Sequence, residues 1–369
     1  MTDDPVIVAA RRTPIATRGR GLAGFDVAQL AAAAFDAAWT DAQQVAGPLD
    51  LADVVLGNCM GPGGNPARVA ALAAGFGVHV PGSTVDRQCG SGLAAVIDAA
   101  YAVRADGRTR IAGGAESAST APQRSVDGVP YARAPFAPPG FPDPDMLRAA
   151  EDLAAQDGIG RSRQDAHALR SHARARAAVA EQRFAGELVP IAGLTVDDGI
   201  RDVERLLPRL RPLFPGGTLT AATSTQISDG AAAVVVSAAG SPGLAVRAHA
   251  IVGCDPALPG LGAAPAVLAA LDSAGVAIGN VTAFEIVEAF AAQSLAVLDR
   301  LGIADDDPRV CADGGALALG HPWGASGAVA VVRLFSRLVR GGAPAGTVGV
   351  AAASVGGGMG VAVVVEVVR

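Results

Sequence analysis

The sequence predicts an α/β protein built from two similar halves. Short apolar segments alternate with longer Ala-rich amphipathic ones, and the glycine-punctuated stretch Cys89–Val96 reappears as Gly324–Val331. Half of the 369 residues are hydrophobic and only 17% are charged, which excludes a disordered chain and supplies a large core. Alternation of strand-like and helix-like segments is the signature of α/β layering. At about 150 residues per domain, the length allows two or three structural units.

Taken in order, Val6–Ala10 reads as a first strand, ended by the turn-forming Arg11-Arg12-Thr13-Pro14. Val27–Thr40 reads as a helix, Val54–Gly57 as a strand and Asn65–Ala74 as a second helix. Thr84–Gln88 leads sharply into Cys89-Gly90-Ser91-Gly92 and an apolar helix through about Val103. Ile111–Ser117 is a small-residue strand with the character of a buried one. Between Ala118 and Gly217 the composition shifts toward Pro, Arg and Asp, with a proline-rich loop at Pro135–Pro144 and a charged helix over Ser162–Phe184. That stretch is expected to be an insertion lying on the surface of a core. Buried-strand character returns at Ala231–Ser237. The last third then repeats the first: each glycine-punctuated turn opens an apolar helix and is followed by a small-residue strand, Ile111–Ala115 or Val348–Ala352. Matching order and spacing argue for an internal duplication. Two such halves facing one another would bring two helix N-termini together, with a site between them.

Composition narrows the chemistry. A net charge of -6 argues against a nucleic-acid binder. All 29 basic residues are Arg, so neither a lysine Schiff base nor a Walker-type phosphate loop is available. Cys59, Cys89, Cys254 and Cys311 are too scattered for a disulfide scaffold, and the five His form no metal-ligand cluster, so no metal is expected. No Gly-x-Gly-x-x-Gly fingerprint opens a helix with an acidic residue about 20 positions on. The acidic start is unlike a secretory leader, and no apolar run reaches the roughly 18 residues that span a bilayer. A cytoplasmic protein with reduced cysteines, binding no membrane, is expected.

Two residues stand out as chemistry. Cys89 sits at a strand-to-helix turn, where a helix N-terminus offers free N–H groups and positive potential that favour a thiolate. Its flanking glycines allow a substrate to approach the backbone, so its own N–H is a candidate oxyanion donor. His321, in Gly320-His321-Pro322, lies just ahead of the second repeat's helix. The other histidines fall in ordinary places, His167 and His172 on the charged helix, His79 and His249 in connections. Cys89 and His321 at corresponding places of two repeats suggest a Cys/His pair for acyl transfer. The turn Ser354-Val355-Gly356-Gly357-Gly358 reads as a hairpin that could aim a backbone N–H into the same cleft.

These motifs resemble those of the thiolase family, the acyl-CoA C-acyltransferases that make or cleave 3-ketoacyl-CoA. The matching segments are Arg12-Thr13-Pro14, Asn65-Pro66-Ala67-Arg68, Arg87-Gln88-Cys89-Gly90-Ser91-Gly92 and Gly113-Gly114-Ala115-Glu116-Ser117. They continue with Ser228-Asp229-Gly230-Ala231, Glu288-Ala289-Phe290-Ala291, Gly320-His321-Pro322 through Gly327, and Gly356-Gly357-Gly358-Met359-Gly360. The resemblance implies two βαβαβαββ halves in a five-layer αβαβα sandwich, with residues 1–118 and a returning segment 228–245 as the first half. Residues 119–227 would be a loop domain that helps hold coenzyme A, and 246–369 the second half. It implies a homodimer or homotetramer acting on acyl-CoA thioesters with no permanently bound cofactor. Cys89 would be the acylated nucleophile, His321 its activating base, and Gly356 with Cys89 the oxyanion donors. Arg201 and Thr225 fall where the family's coenzyme A contacts lie.

Two positions depart from the family. Where thiolases carry a second cysteine as acid/base for the α-proton, this chain has Ser354, and where they carry the Asn of Asn-Glu-Ala-Phe it has Val287. A general acid/base contributes about 10²–10⁴-fold and an oxyanion donor about 10²–10³-fold, so losing both would cost roughly 10⁴–10⁷-fold. Acylation is expected to be intact and carbon–carbon bond formation depleted. Three functions follow: a thiolase-type acyltransferase with a substitute base, for which Cys311 is a candidate; a decarboxylative condensing enzyme or other acyltransferase needing no α-proton base; or a catalytically weak subunit that binds acyl-CoA or serves as a scaffold within a complex with a partner subunit.

Overall fold

The computed structural model describes residues 4–131 and 133–369. The first half runs β1 (Val6–Arg12), β2 (Ala16–Thr17), α1 (Val27–Ala46), β3 (Leu51–Gly57), α2 (Pro66–Ala73), β4 (Gly82–Val85), α3 (Ser91–Asp106) and β5 (Thr109–Ser117). The insertion carries a small hairpin, β6 (Arg124–Val126) and β7 (Val129–Tyr131), and helices α4 (Met146–Gln156) and α5 (Arg161–Ala180). Then β8 (Ser228–Ser237) returns to the sheet of the first half. The second half runs β9 (Gly243–Gly253), α6 (Ala263–Ala274), β10 (Val281–Ile286), α7 (Ala291–Leu301), α8 (Ala316–Leu319), α9 (Trp323–Leu334), β11 (Val348–Val355) and β12 (Met359–Val368).

The duplication is visible in the strand order. The first sheet is ordered β4-β3-β5-β8-β1 and the second β10-β11-β12-β9, and the two meet where Val6 and Ile7 pair with Ala245 and Leu244. In each half one parallel pair, β3–β5 or β10–β11, is followed by two antiparallel ones. The counterpart of β4 in the second half has shrunk to one parallel bridge between Val310 and Phe284. Helices α1 and α2 pack on the outer face of the first sheet through Leu30, Phe35, Leu56 and Val235. Helix α6 and the end of α7 cover the second sheet through Val267, Leu271, Phe284 and Val364. Between the sheets lie α3 and α9, giving five layers.

Local sequence explains the ends. Asp26 and Gln29 form a reciprocal capping box at the start of α1. The helix runs beyond the expected Thr40 because Ala38 and Ala42 extend its buried stripe, and it stops at Gly47 in the left-handed region. The charged helix is shorter than expected, ending at Ala180, and it buries polar Gln164, His167, Ser171 and His172 alongside Ala168, Ala175 and Ala178. Phe184 folds back between the guanidinium groups of Arg12 and Arg333, 5.3 and 4.6 Å from its ring centre. Arg12 is fully buried and bonds Glu187 (2.7 Å) and Asp197 (2.6 Å), while Arg333 bonds Glu187 and Asp313. Buried charges are costly unless paired, so this network ties the insertion to both halves.

The two central helices cross at glycines. A Cβ on Gly92 would lie 2.7 Å from the Ala328 nitrogen and 2.9 Å from the Gly324 oxygen, and one on Gly327 would lie 2.7 Å from the Leu93 nitrogen. Only glycine permits that approach, which brings the N-terminal turns of α3 and α9 together. Among the described residues, no helix is long and apolar enough to cross a membrane.

Candidate active site

The Cys89 turn is held by its neighbours. Asp86 accepts from the Gln88 N–H (2.9 Å), while the Ser91 hydroxyl accepts from the Arg87 N–H (2.8 Å) and donates to the Gln88 carbonyl (2.6 Å). These bonds keep Gln88 at φ +44°, a left-handed conformation that costs a non-glycine residue about 1 kcal/mol or more. The strain presents Cys89 at the mouth of α3, half-buried.

The β11–β12 turn meets it from the other side. Gly90 has no room for a side chain, since a Cβ there would lie 2.8 Å from Val355 and 2.9 Å from Val361. The backbone N–H groups of Cys89 itself and of Gly356 favour the thiolate form of Cys89. Burial nevertheless pushes the thiol up to about 12, with the carboxylates of Glu116 and Asp86 adding to the rise. The favouring of a thiolate expected of the helix N-terminus is opposed by desolvation. Desolvation outweighs the two N–H groups, and Cys89 rests as a thiol.

His321 rests neutral too, for the complementary reason. Its N–H donates to the Gln226 carbonyl (3.0 Å) and the Ser228 hydroxyl (3.2 Å), which fixes the loop. Its Nδ1 is 2.6 Å from the Ser326 hydroxyl, which lies 3.0 Å from the Pro322 carbonyl. Because Ser326 has one proton and gives it to Pro322, it accepts from Nδ1–H, and the lone pair lies on Nε2. Nε2 is buried without a hydrogen-bond partner, and burial lowers the imidazole to about 4. A neutral imidazole with a free Nε2 is a ready proton acceptor.

Glu116 ties the segment after β3 to the first turn of α9. At the end of β5, its carboxylate accepts from Cys59 N (3.2 Å), Met60 N (3.0 Å), the Asn58 amide (2.9 Å) and Gly324 N in the first turn of α9 (3.0 Å). Burial pushes its carboxyl up, against the pull of those N–H groups.

The two departing positions hold no free acid or base. Ser354 donates to the Gly260 carbonyl (2.7 Å) and accepts from Ala263 N at the start of α6 (3.0 Å), so both roles of its hydroxyl are taken. Val287 is buried just beyond β10 and, with Cys311 and Ser326, lines a cavity of about 30 Å³. Cys311 sits beside Val287, its thiol donating to the Ile286 carbonyl (3.4 Å), and burial raises it well above the ordinary thiol range. It is poorly placed to act as a base.

Arg201 stands at a second cleft, of about 90 Å³, with Val203, Leu206, Leu210, Ser224 and Gln226. Thr225 does not face it: its hydroxyl donates to the Ala316 carbonyl (2.6 Å) and steadies α8. Sequence reasoning passed over His167, His172 and Glu288. His167 Nε2 lies 3.2 Å from the Glu288 carboxylate, which also accepts from Ser171 (2.7 Å). His172 takes the Arg201 N–H (3.4 Å) and is lowered to about 4 by burial. The missed signal was a helix whose few large side chains are polar yet recur at helical spacing.

The family description "Thiolase, N-terminal domain" matches residues 5–240, and "Thiolase, C-terminal domain" matches residues 241–367. The chain belongs to the thiolase family. The acetyl-CoA acetyltransferase of Chromobacterium violaceum is 38% identical over 393 aligned positions, covering 98% of each chain. The peroxisomal 3-ketoacyl-CoA thiolase 2 of Arabidopsis thaliana is 38% identical over 392 positions, covering 99% of this chain and 84% of that one. The crystal structure of the Bacillus anthracis acetyl-CoA acetyltransferase superposes with a TM-score of 0.91 at 31% identity, covering 99% of both. That of human mitochondrial 3-ketoacyl-CoA thiolase in complex with CoA gives 0.88 at 30%, covering 100% of this chain and 98% of that one. The thiolase fold thus accounts for the doubled strand order and the paired helix N-termini.

Proposed function

We propose that this thiolase-type acyl-CoA C-acyltransferase forms its acyl-enzyme on Cys89, with His321 as the base. The observation that carries the proposal is the meeting of the first turns of α3 and α9 at the Gly92–Gly327 crossing, with Cys89 at the mouth of one and, just ahead of the other, a neutral imidazole with a free Nε2. Thiol and imidazole are so far apart in acidity that an ion pair formed ahead of attack is unfavourable. Proton transfer therefore accompanies bond formation. As the sulfur bonds to the thioester carbon, the thiol proton passes to His321 Nε2 and the carbonyl oxygen gains charge between the Cys89 and Gly356 N–H groups. When the tetrahedral intermediate collapses, the bond to the coenzyme A sulfur breaks and that thiolate takes the proton back from His321. The Arg201 cleft, with its cation and its apolar wall, suits the phosphates and pantetheine arm of coenzyme A. Thr225 supports that cleft from behind.

The acyl group then goes to the α-carbon of a second acyl-CoA to give a 3-ketoacyl-CoA, or the reverse. With the Ser354 hydroxyl engaged and Val287 apolar, the α-proton has no evident acceptor. This favours, as a second reading, an acceptor that makes its own carbanion by losing carbon dioxide. We place the enzyme in the cytoplasm, which its four free cysteines support, and assign it a homodimeric or homotetrameric state with no resident cofactor.

Intact-protein mass spectrometry after incubation with acetyl-CoA tests the acyl-enzyme. We expect one acyl adduct mapping to Cys89 and none in Cys89→Ala, and an adduct retained in that variant would overturn the assignment. Condensation assays separate the two readings. Ser354→Cys with Val287→Asn should raise acetyl-CoA condensation by about 10²-fold or more, the worth of a general base. Brisk wild-type condensation of acetyl-CoA alone would reject the decarboxylative reading.

A further inference from the structure

The proline-rich loop places an aromatic ring against the oxyanion donor. A Cβ on Gly356 would lie 2.7, 2.9 and 3.4 Å from Cε2, Cδ2 and Cζ of Phe136, and one on Gly357 would lie 3.1 Å from the Phe136 carbonyl oxygen and 3.3 Å from its Cβ. The ring thus rests on the backbone whose N–H favours the Cys89 thiolate. Nothing in the acylation chemistry uses it.

The ring is also clamped. The Arg133 guanidinium lies over it, 4.5 Å from its centre, and is itself held by Asp143 through the side chain (2.7 Å) and the carbonyl (3.2 Å). The second carboxylate oxygen of Asp143 accepts the Phe136 N–H (3.3 Å), so one residue holds both the plate and the cation upon it. Five prolines, Pro135, Pro138, Pro139, Pro142 and Pro144, stiffen the backbone around this clamp. These contacts lie within the loop and fix Phe136, Arg133 and Asp143 to one another as a unit.

We propose that Phe136 is the end wall of the acyl pocket and restricts the enzyme to short acyl groups. The inference rests on the acyl-enzyme reading above. An acyl carbonyl held between the Cys89 and Gly356 N–H groups sends its alkyl chain out within a few ångströms of Gly356, where the ring already stands. Acetyl ends before the ring. A longer chain meets a clamped aromatic face, and discrimination by one methylene in an apolar pocket is about 10–200-fold.

The test compares acyl-enzyme formation on the purified full chain with acetyl-, butyryl-, hexanoyl- and octanoyl-CoA, mapped to Cys89. In the wild type, labelling should fall steeply between butyryl and hexanoyl. Phe136→Ala should raise the hexanoyl-to-acetyl rate ratio by about 10-fold or more, one methylene's worth of discrimination, with acetyl labelling little changed. Phe136→Trp, which keeps an aromatic plate under Arg133, should depress butyryl labelling relative to acetyl. Ratios unchanged in both variants, with Cys89 still labelled, would overturn the wall alone. Cys89 unlabelled by every thioester would overturn the acyl-enzyme reading and this one with it.

Discussion

The turns before α3 and α9 occupy corresponding places in the two halves, yet they prepare opposite groups. Each helix carries a serine in its first turn that reaches back into the preceding segment. Ser91 grips backbone, the Arg87 N–H and the Gln88 carbonyl, and so forces the strained φ of Gln88 that presents Cys89. Ser326 grips a side chain, taking the Nδ1 proton of His321 and leaving Nε2 bare. The first turn therefore aims a nucleophile by backbone geometry, and the second selects a tautomer by hydrogen bonding. Burial then keeps both groups neutral, raising the thiol and lowering the imidazole. A duplicated scaffold became a two-part site because its halves diverged at what each serine holds.

The largest break in this pairing is His321→Ala. It removes the proton acceptor while leaving Cys89 and both N–H groups in place, so acylation should slow by about 10²-fold or more. Stopped-flow release of coenzyme A, with acetyl-CoA in excess, measures it. An unchanged rate would mean that the N–H groups at the mouth of α3 activate the thiol unaided.

Much of this comparison was legible in the sequence, because turn-plus-helix motifs are local. Cys89-Gly-Ser-Gly and Gly324-Ala-Ser-Gly announce their geometry through glycine spacing, and the crossing at Gly92 and Gly327 follows from the same residues. What was not legible depends on distant segments meeting. Phe136 against Gly356, Phe184 between Arg12 and Arg333, and His167 on Glu288 all join the insertion to a core far away in sequence. Their surroundings in the chain are polar or proline-rich, so periodicity gave no sign of burial. The resting thiol was missed for a related reason: the sequence shows the helix N-terminus but not the depth at which it lies.

The second test uses pH to separate the buried imidazole from exposed ones. His321 is about 4 in the folded protein against 6.5 as an ordinary imidazole, so the unfolded chain takes up a proton that the folded one refuses. Its folded value is depressed, so the neutral form's share of stability is fully present above pH 6.5 and is lost as pH falls toward about 4. At about 1.4 kcal/mol per unit, the loss from this one group amounts to about 3 kcal/mol over that window. Urea unfolding at a series of pH values should show it, together with a similar loss from His172, also lowered to about 4. His321→Ala should remove His321's share of the slope and leave that of His172. An unchanged slope in His321→Ala would show that His321 is reached by solvent and protonates normally.

The finest test exchanges the roles of the two serines. If Ser91 acts on backbone, Ser91→Ala gives up two hydrogen bonds that oppose a strained turn, and a net loss of about 1–3 kcal/mol in stability should follow. If Ser326 acts on the imidazole, Ser326→Ala frees Nδ1 and lets the ring rotate or change tautomer. Stability should then fall by only about 1 kcal/mol. Acylation should instead slow by about tenfold, below the 10²-fold of a lost base because the ring is still present. The distinguishing measurement is the pair of ratios, denaturation midpoint against acylation rate, for both variants in one series. Ser326→Cys supplies a check, since a thiol is a weak acceptor and should recover part of the rate without recovering all of it. Equal effects of the two serines on rate and stability would mean that both merely pack their turns, and the division between aiming and tautomer choice would fall.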